Sequence, residues 1–228
     1  MNEGQRIDLH VHSLFSDGDL LPSEILRRAA AMGHAAIAIT DHVDASNLDT
    51  VVSSLIRFAQ EQREDFPLIF IPGVELTYIA PASIAPLARR ARRLGAGLIV
   101  VHGETIVEPV MAGTNRAAVE CGKVDILAHP GLITLEDARV AAENGVYLEL
   151  TSRQGHCLTN GHIVQIARQA GAKLVVNTDT HSLTDIIDQK TARLVAAGAG
   201  LNEDEIRLAI VTNPQALVQR ALNRLPMV

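Results

Sequence analysis

Short runs of Ile, Val, Leu and Ala recur along the chain, and each is followed by a longer segment with the composition of a helix. Continuous apolar runs such as 36–39 and 98–101 are typical of strands that are buried on both faces of a parallel sheet. The predicted strands are Arg6–Val11, Ala36–Thr40, Leu68–Leu76, Gly97–His102, Val124–His129, Val146–Thr151 and Lys173–Thr178.

The segments between these runs predict helices. Pro22 opens the first and Gly33 follows its last residue, which is the usual asymmetry of helix ends. The predicted helices are Pro22–Met32, Leu48–Asp65, Ser83–Leu94, Thr114–Cys121, Thr134–Glu143, Gly161–Ala170, Leu183–Ala197, Asn202–Val211 and Pro214–Asn223. The repeated strand–helix units favour an α/β fold with a closed or nearly closed parallel barrel, with an open doubly wound sheet as the alternative. We expect one domain over residues 1–228, with the helices of about 202–223 packed on the barrel.

Composition narrows the possible functions. Hydrophobic residues make up 47% of the 228 residues, which is enough for a core, and the net charge is −6. An acidic chain is a poor candidate for a stable nucleic-acid complex, because such binding depends on Lys and Arg. The sequence has no apolar run long enough to span a membrane and no signal-peptide pattern at its start. Cys121 and Cys157 form no CxxC pair, so we expect a reducing, cytoplasmic location.

Histidines and acids fall where the predicted strands end. His10 and His12 are two residues apart, so on a strand they point to one face. The others are Asp41, His42, Glu75, His102, His129, Asp179 and His181, with Asp17 in the loop after the first strand. The carboxyl ends of parallel strands meet at one mouth of a barrel, and imidazole and carboxylate are ligands of divalent transition metals. The pattern therefore predicts a metal centre at this mouth.

Two further residues are candidates for substrate binding. Arg153 follows the sixth predicted strand, and its planar guanidinium suits two phosphate oxygens. His156 lies in the loop 151–161 on the same side of the barrel and is a second candidate contact. By contrast, His34 and His162 are interpreted as residues outside the site.

The order of these motifs resembles the PHP (polymerase and histidinol phosphatase) superfamily from Ile7 to about Leu217. The motifs are Asp8-Leu9-His10-Val11-His12, Ser16-Asp17-Gly18, Ile39-Thr40-Asp41-His42, Pro72-Gly73-Val74-Glu75, Val101-His102-Gly103, Leu127-Ala128-His129-Pro130-Gly131 and Thr178-Asp179-Thr180-His181. The resemblance implies a distorted (β/α)7 TIM-like barrel and is strongest to the stand-alone, histidinol-phosphatase-like phosphoesterases.

The resemblance also implies two to three divalent ions, Zn, Mn or Fe, as cofactors. By this resemblance, the ligands are His10, His12, Glu75 and Asp179 for the first ion, Glu75, His102 and His129 for the second, and Asp17, His42 and His181 for the third. Asp41 is then a partner of a ligand or a structural acid. Catalysis is assigned to Arg153, Asp179 and His181.

The implied reaction is hydrolysis of a small phosphate monoester by a metal-bridging hydroxide. Three divalent ions outweigh the three ligand carboxylates, so the site would be positive inside an acidic chain and would suit a compact anion. We expect a small phosphorylated substrate as the partner and leave a homo-oligomer open. The alternatives are a phosphodiesterase or nucleotide phosphatase, a metal-binding module without catalysis, and an amidohydrolase. The last would call for a strand-end Lys, which the predicted strands lack.

Overall fold

The structure is a computed structural model that describes residues 4–61 and 66–225. Its strands are β1 (Arg6–Asp8), β2 (His34–Ile39), β3 (His42–Val43), β4 (Ile69–Leu76), β5 (Leu98–His102), β6 (Ile126–Ala128), β7 (Tyr147–Thr151) and β8 (Leu174–Asn177). All seven predicted strands are confirmed, and β3 is a short continuation of the second, which pairs with β4 beyond a break at residues 40–41. Every strand pair is parallel.

The sheet closes on itself to form a nearly closed barrel, which confirms the predicted fold and excludes the open sheet. The strand order is β1-β2-β4-β5-β6-β7-β8. Beyond the last paired residues, the ends of β1 and β8 meet: the Asp179 N–H donates to the His10 carbonyl at 2.9 Å and the His12 N–H donates to the Thr180 carbonyl at 2.8 Å. These two hydrogen bonds join the first strand to the last at the mouth where the predicted ligands lie.

Helices cover the outside of the barrel. In the described ranges they are α1 (Pro22–Ala31), α2 (Leu48–Glu61), α3 (Pro81–Leu94), α4 (Thr114–Glu120), α5 (Leu135–Asn144), α6 (Asn160–Ala170), α7 (Gln189–Gly198), α8 (Glu203–Arg207) and α9 (Asn213–Leu222). The end of the second predicted helix, 62–65, lies outside the described residues. The helix predicted at Leu183–Ala197 is wrong in its first part, because Ser182 and Asp185 cap a separate single turn and Asp188 then caps α7 through the Thr191 N–H.

The C-terminal helices form one continuous segment, because 208–212 is a wider helical turn that joins α8 to α9. Leu217 and Ala221 on α9 pack with interior side chains of the barrel such as Ile7 and Leu9. Arg224 donates to the buried Asp125 at 2.7 Å, just before β6. The helix α9 therefore covers the amino-terminal end of the barrel and leaves the opposite mouth for chemistry. No described helix is long and apolar enough to cross a membrane.

Candidate metal centre

The nine predicted ligands come together at the carboxyl-terminal mouth of the barrel. They reach it from the ends of six strands, and Asp17 reaches it from the loop after β1. The residues are His10, His12, Asp17, His42, Glu75, His102, His129, Asp179 and His181. Because the fold places side chains from positions 10 to 181 within contact distance, the convergence expected from the strand ends is present in the structure.

Glu75 and Asp179 form the buried centre of this site. The Nε2 of His10 lies 3.3 Å from Oε1 of Glu75, and the Nε2 of His12 lies 3.1 Å from Oδ1 of Asp179. The Nε2 of His129 lies 3.6 Å from Oδ2 of Asp179. These five side chains are almost fully buried. Each imidazole therefore presents Nε2 to a carboxylate shared with another imidazole, which is an arrangement that can bind divalent cations.

A second group of ligands lies nearer the solvent. The Oδ1 of Asp17 is 3.5 Å from the Nε2 of His42 and 3.3 Å from the Nε2 of His181. The ring of His12 contacts both of these imidazoles, with centroids 4.1 and 4.2 Å away. Gly18 permits this geometry, because a Cβ at that position would lie 2.4 Å from the His12 carbonyl oxygen.

Several buried polar atoms of the centre have no hydrogen-bond partner. They are Nε2 of His10, both ring nitrogens of His12 and His129, Oε1 of Glu75 and Oδ1 of Asp179. A buried polar atom without a partner destabilises the fold, and native proteins rarely tolerate a group of them. Because the atoms are imidazole nitrogens and carboxylate oxygens that face one another, they fit divalent cations.

The electrostatics of the centre also favour the binding of divalent cations. Burial lowers the pKa of His12 and of His129 well below the usual value, so both imidazoles are neutral and offer a lone pair. Burial also raises the pKa of Asp179 to about 7, with the negative charge of Glu75 adding to the effect. Burial alone would lower the pKa of His10, but Glu149, Glu75 and Asp179 together raise it well above the usual value. A bound cation supplies the positive charge that these buried carboxylates lack.

Backbone strain is concentrated at two of the ligands. His129 has φ +26° and Asp179 has φ +54°, in the left-handed region that residues other than glycine rarely adopt. His129 directly follows β6, and Asp179 lies two residues beyond the end of β8. Strain of this kind is retained where the surrounding structure fixes a functional side chain, and here it directs two ligands into the barrel mouth.

A buried carboxylate that was not among the predicted site residues lies behind the ligands. Glu149 lies in β7, the one strand end for which no ligand was predicted, and it is fully buried. Its Oε1 lies 2.8 Å from the Nδ1 of His10 and accepts a hydrogen bond from Asn177, and its Oε2 accepts from the His129 N–H at 3.1 Å. Glu149 therefore orients His10 so that Nε2 points at the site. The available signal was a single glutamate in the otherwise uncharged run 146–151.

Asp41 is a structural acid rather than the partner of a ligand histidine. Its Oδ1 accepts hydrogen bonds from the Ser13 N–H and the Ser16 hydroxyl, and its Oδ2 accepts from the Ser13 hydroxyl, all at 2.7 Å. These bonds order the loop that carries Asp17. His34 and His162 lie outside the centre and each binds a backbone carbonyl through Nε2, as expected for residues without a role in the site.

The two predicted substrate contacts lie beside the centre and line a cavity of about 500 Å³. Arg153 has its Nε 3.6 Å from Oδ2 of Asp179 and its Nη1 3.5 Å from Oδ2 of Asp185. His156 is buried, and its ring lies 4.3 Å from that of His129. Among the described residues that line the cavity, Arg153 alone has a permanent positive charge. The location of both residues agrees with substrate binding, and the roles of all these residues stay predictions.

A parallel barrel with imidazoles and carboxylates gathered at one mouth defines the class of metal-dependent hydrolase barrels. The model of the PHP domain family matches residues 8–153, which is more than half of the chain. The chain therefore belongs to the PHP domain family.

Similar proteins come from archaea and bacteria. An uncharacterized protein of Methanocaldococcus jannaschii is 46% identical over 216 residues, which cover 94% of this chain and 99% of that protein. Ribonuclease P protein component 3 of Methanosarcina barkeri is 26% identical and covers 96% of this chain and 91% of that protein. The structure of histidinol phosphate phosphatase from Lactococcus lactis, complexed with zinc, L-histidinol and phosphate, has a TM-score of 0.60 at 17% identity. It covers 86% of this chain and 94% of that chain, and the likeness shows a shared fold.

Proposed function

We propose that the protein is a metal-dependent phosphoesterase that hydrolyses a small phosphate monoester at a centre of two to three divalent ions. The observation that carries the proposal is the group of buried, unpartnered imidazole nitrogens and carboxylate oxygens around Glu75 and Asp179. His34, a buried histidine outside the centre, leaves one ring nitrogen without a hydrogen-bond partner, whereas His12 and His129 leave both. The unpartnered atoms instead face one another, which is the expected arrangement of metal ligands.

The proposed ligand sets are those that the resemblance to the PHP superfamily implies, and part of them, such as His10, His12 and Asp179, lies close enough in the structure to share an ion. The first ion takes His10, His12, Glu75 and Asp179, the second shares Glu75 and adds His102 and His129, and the third takes Asp17, His42 and His181. When bound, divalent ions at such sites neutralise charge on phosphoryl oxygens and lower the pKa of a coordinated water. Zn, Mn and Fe all suit ligands of this kind.

The chain's own side chains orient the reaction. Arg153 faces the cavity beside Asp179, and we assign it the binding of two phosphate oxygens through its guanidinium. Glu149 holds His10 in one orientation from behind, and Asp41 holds the loop of Asp17. These contacts keep the ligands in place without a substrate, which reduces the reorganisation needed for reaction.

The size and charge of the cavity favour a small substrate. About 500 Å³ is within the usual range for small-molecule sites and is more than phosphate alone requires, so it leaves room for a compact leaving group. The net charge of −6 disfavours a long polyanion outside the metal centre. The structural neighbour from Lactococcus lactis holds phosphate and L-histidinol, which supports a phosphate monoester as the substrate class.

The test is release of phosphate from p-nitrophenyl phosphate with added Mn²⁺ or Zn²⁺. We expect turnover with metal, none with EDTA, and none in His10→Ala or Asp179→Asn. Glu143→Gln, at an exposed position on α5, is the control and should retain the wild-type rate. Full activity in EDTA, or in either ligand variant, would contradict the proposal. A panel of histidinol phosphate, nucleoside monophosphates, nucleotide bisphosphates and a bis-ester separates monoesterase from diesterase or nucleotide phosphatase.

The second candidate is an RNA-associated subunit without catalysis. The observation that favours it is the 26% identity to ribonuclease P protein component 3 over nearly the whole chain. This candidate predicts binding to structured RNA and no phosphate release with any metal. A gel-shift titration of structured RNA with the protein distinguishes the RNA-associated subunit from the phosphoesterase. The salt concentration is about 150 mM, where non-specific binding is already weak. Turnover without RNA binding supports the phosphoesterase.

A further inference from the structure

The loop between β5 and α4 brings another acid to the metal centre, Glu108, which is not one of the nine predicted ligands. Its Oε2 lies 2.9 Å from the Nε2 of His102. The side chain is 35% exposed and lines the cavity. Glu108 is therefore open to solvent on one side and faces a predicted ligand on the other.

The distance between Glu108 and His102 is close to the distances between ligands expected to share an ion. For those pairs, Nε2 and the carboxylate oxygen are 3.3 Å apart for His10 and Glu75, 3.1 Å for His12 and Asp179, and 3.3 Å for His181 and Asp17. Ligand bonds to such ions are near 2.1 Å, so two atoms on one ion lie roughly 3.0–3.5 Å apart. The distance between Glu108 and His102, 2.9 Å, lies just below this range.

His102 and Glu108 present atoms that can both coordinate a cation. The Nε2 of His102 lies 2.9 Å from Oε2 of Glu108, and both atoms offer electron pairs when the imidazole is neutral with its hydrogen on Nδ1, which lies 3.2 Å from the Gly103 carbonyl oxygen. The ring of His129, whose two nitrogens have no hydrogen-bond partner, lies 4.5 Å from the ring of His102. Three side chains that can donate electron pairs to a cation therefore meet at this point.

Two neighbouring residues fix the orientation of Glu108. The Tyr78 hydroxyl donates to Oε2 of Glu108 at 2.7 Å, and Tyr78 reaches it from a backbone with φ +52°, which is rare for an aromatic residue. The Nε2 of His156 lies 3.5 Å from Oε1 of Glu108, and Thr105 holds the opposite ring nitrogen of His156 at 2.9 Å. A carboxylate held by two partners at the edge of a metal centre has little freedom to turn away.

We propose that Glu108 is a tenth metal-coordinating residue, which binds through Oε2 the ion held by Glu75, His102 and His129. Tyr78 and His156 are positioning residues that hold this carboxylate. The inference rests on the metal centre of the proposed function, but not on the identity of the reaction. It assigns to the β5–α4 loop a direct part in binding the ion, so ion binding should also order this loop.

The test measures binding of Mn²⁺ by calorimetry and metal content by mass spectrometry, in the full-length protein without substrate. We expect Glu108→Gln to weaken the binding of one ion by at least about 10–100-fold, since loss of a contact that only supports a ligand already has that effect, and to leave the binding of the other ions unchanged. Glu108→Asp shortens the side chain by one methylene and should lower the affinity for this ion by a similar factor. Tyr78→Phe should lower the affinity for this ion by a smaller factor, because it removes only a hydrogen bond to the Glu108 carboxylate. Glu143→Gln is the matched control and should bind every ion as the wild type does.

Hydrogen exchange provides a second measurement that does not depend on activity. In the wild type, Mn²⁺ should slow amide hydrogen exchange in residues 104–113. In Glu108→Gln this slowing should be lost in residues 104–113, whereas the slowing near His10 should remain. Circular dichroism establishes that the variants are folded, and the wild-type exchange data alone test the proposal if both Glu108 variants fail to fold. If folded Glu108→Gln binds Mn²⁺ with unchanged affinity and residues 104–113 keep their protection, Glu108 is not a ligand, although the other predicted ligands still form a metal centre. A wild type that binds no divalent ion would overturn both.

Discussion

Replacement of Glu149 by glutamine tests whether the buried carboxylate behind His10 supports a metal centre. Oε1 of Glu149 faces the Nδ1 of His10 and the amide of Asn177, and Oε2 accepts from the His129 N–H. Glutamine has the same shape but one oxygen, so in either orientation its NH₂ group faces at least one of these donors. The change therefore disturbs the support of two predicted ligands and removes the charge that polarises His10.

The expected magnitude follows from the linkage between metal binding and folding. Loss of such a supporting contact weakens metal affinity by about 10–100-fold, which equals about 1.4–2.7 kcal/mol. In excess metal the same free energy is lost from the stability of the folded state, because only the folded protein forms the site. For a domain of this size, that lowers the metal-dependent rise in Tm by about 3–11 °C.

The assay is thermal unfolding of wild type and Glu149→Gln, each with EDTA and with excess Mn²⁺. The quantity compared is the rise in Tm that the metal produces within each protein, so a change in the metal-free stability of the variant cancels. Glu143→Gln serves as the control and should show the wild-type rise. An equal rise in Glu149→Gln and wild type would refute the supporting role of Glu149.

Three other substitutions test separate parts of the account. Arg153→Ala should raise KM or lower kcat for phosphate monoesters with metal content unchanged, and unchanged kinetics would place the arginine outside the site. Leu217→Ala, at the packed end of the barrel, should destabilise the protein by about 2–5 kcal/mol in urea unfolding. Gly131→Ala should destabilise it by more than about 1 kcal/mol, since the residue has φ +59° and a Cβ there would lie 1.9 Å from the Glu104 carbonyl oxygen. Wild-type stability in either variant would contradict the packing described.

The barrel and the convergence of eight of the nine predicted ligands were predictable because both depend on strands, whereas Asp17 lies in a loop and was assigned through the family resemblance. Buried parallel strands produce apolar runs, and a residue at the end of such a run, such as His102 or His129, has only one mouth of the barrel to occupy. The paired positions His10 and His12 add the two-residue period of extended chain. Local sequence was therefore sufficient to bring distant residues together.

Glu149 and Glu108 were not predictable in the same way. Glu149 lies inside a strand, where the pattern of neighbours does not say whether a lone acid faces the barrel interior or a helix. Glu108 lies in a loop whose path depends on tertiary contacts, in particular on Glu104, which accepts hydrogen bonds from the N–H groups of Gly113 and Asn115. The failed helix start at Leu183 has a similar cause, because side-chain caps at Ser182 and Asp188 override helix propensity.

Anomalous X-ray diffraction from crystals grown with Mn²⁺ measures the central claim most directly. The account predicts strong anomalous peaks within about 2.0–2.6 Å of the carboxylate oxygens of Glu75 and Asp179 and of the Nε2 atoms of His10 and His12. A well-ordered structure with those side chains in place and no anomalous density among them would contradict it.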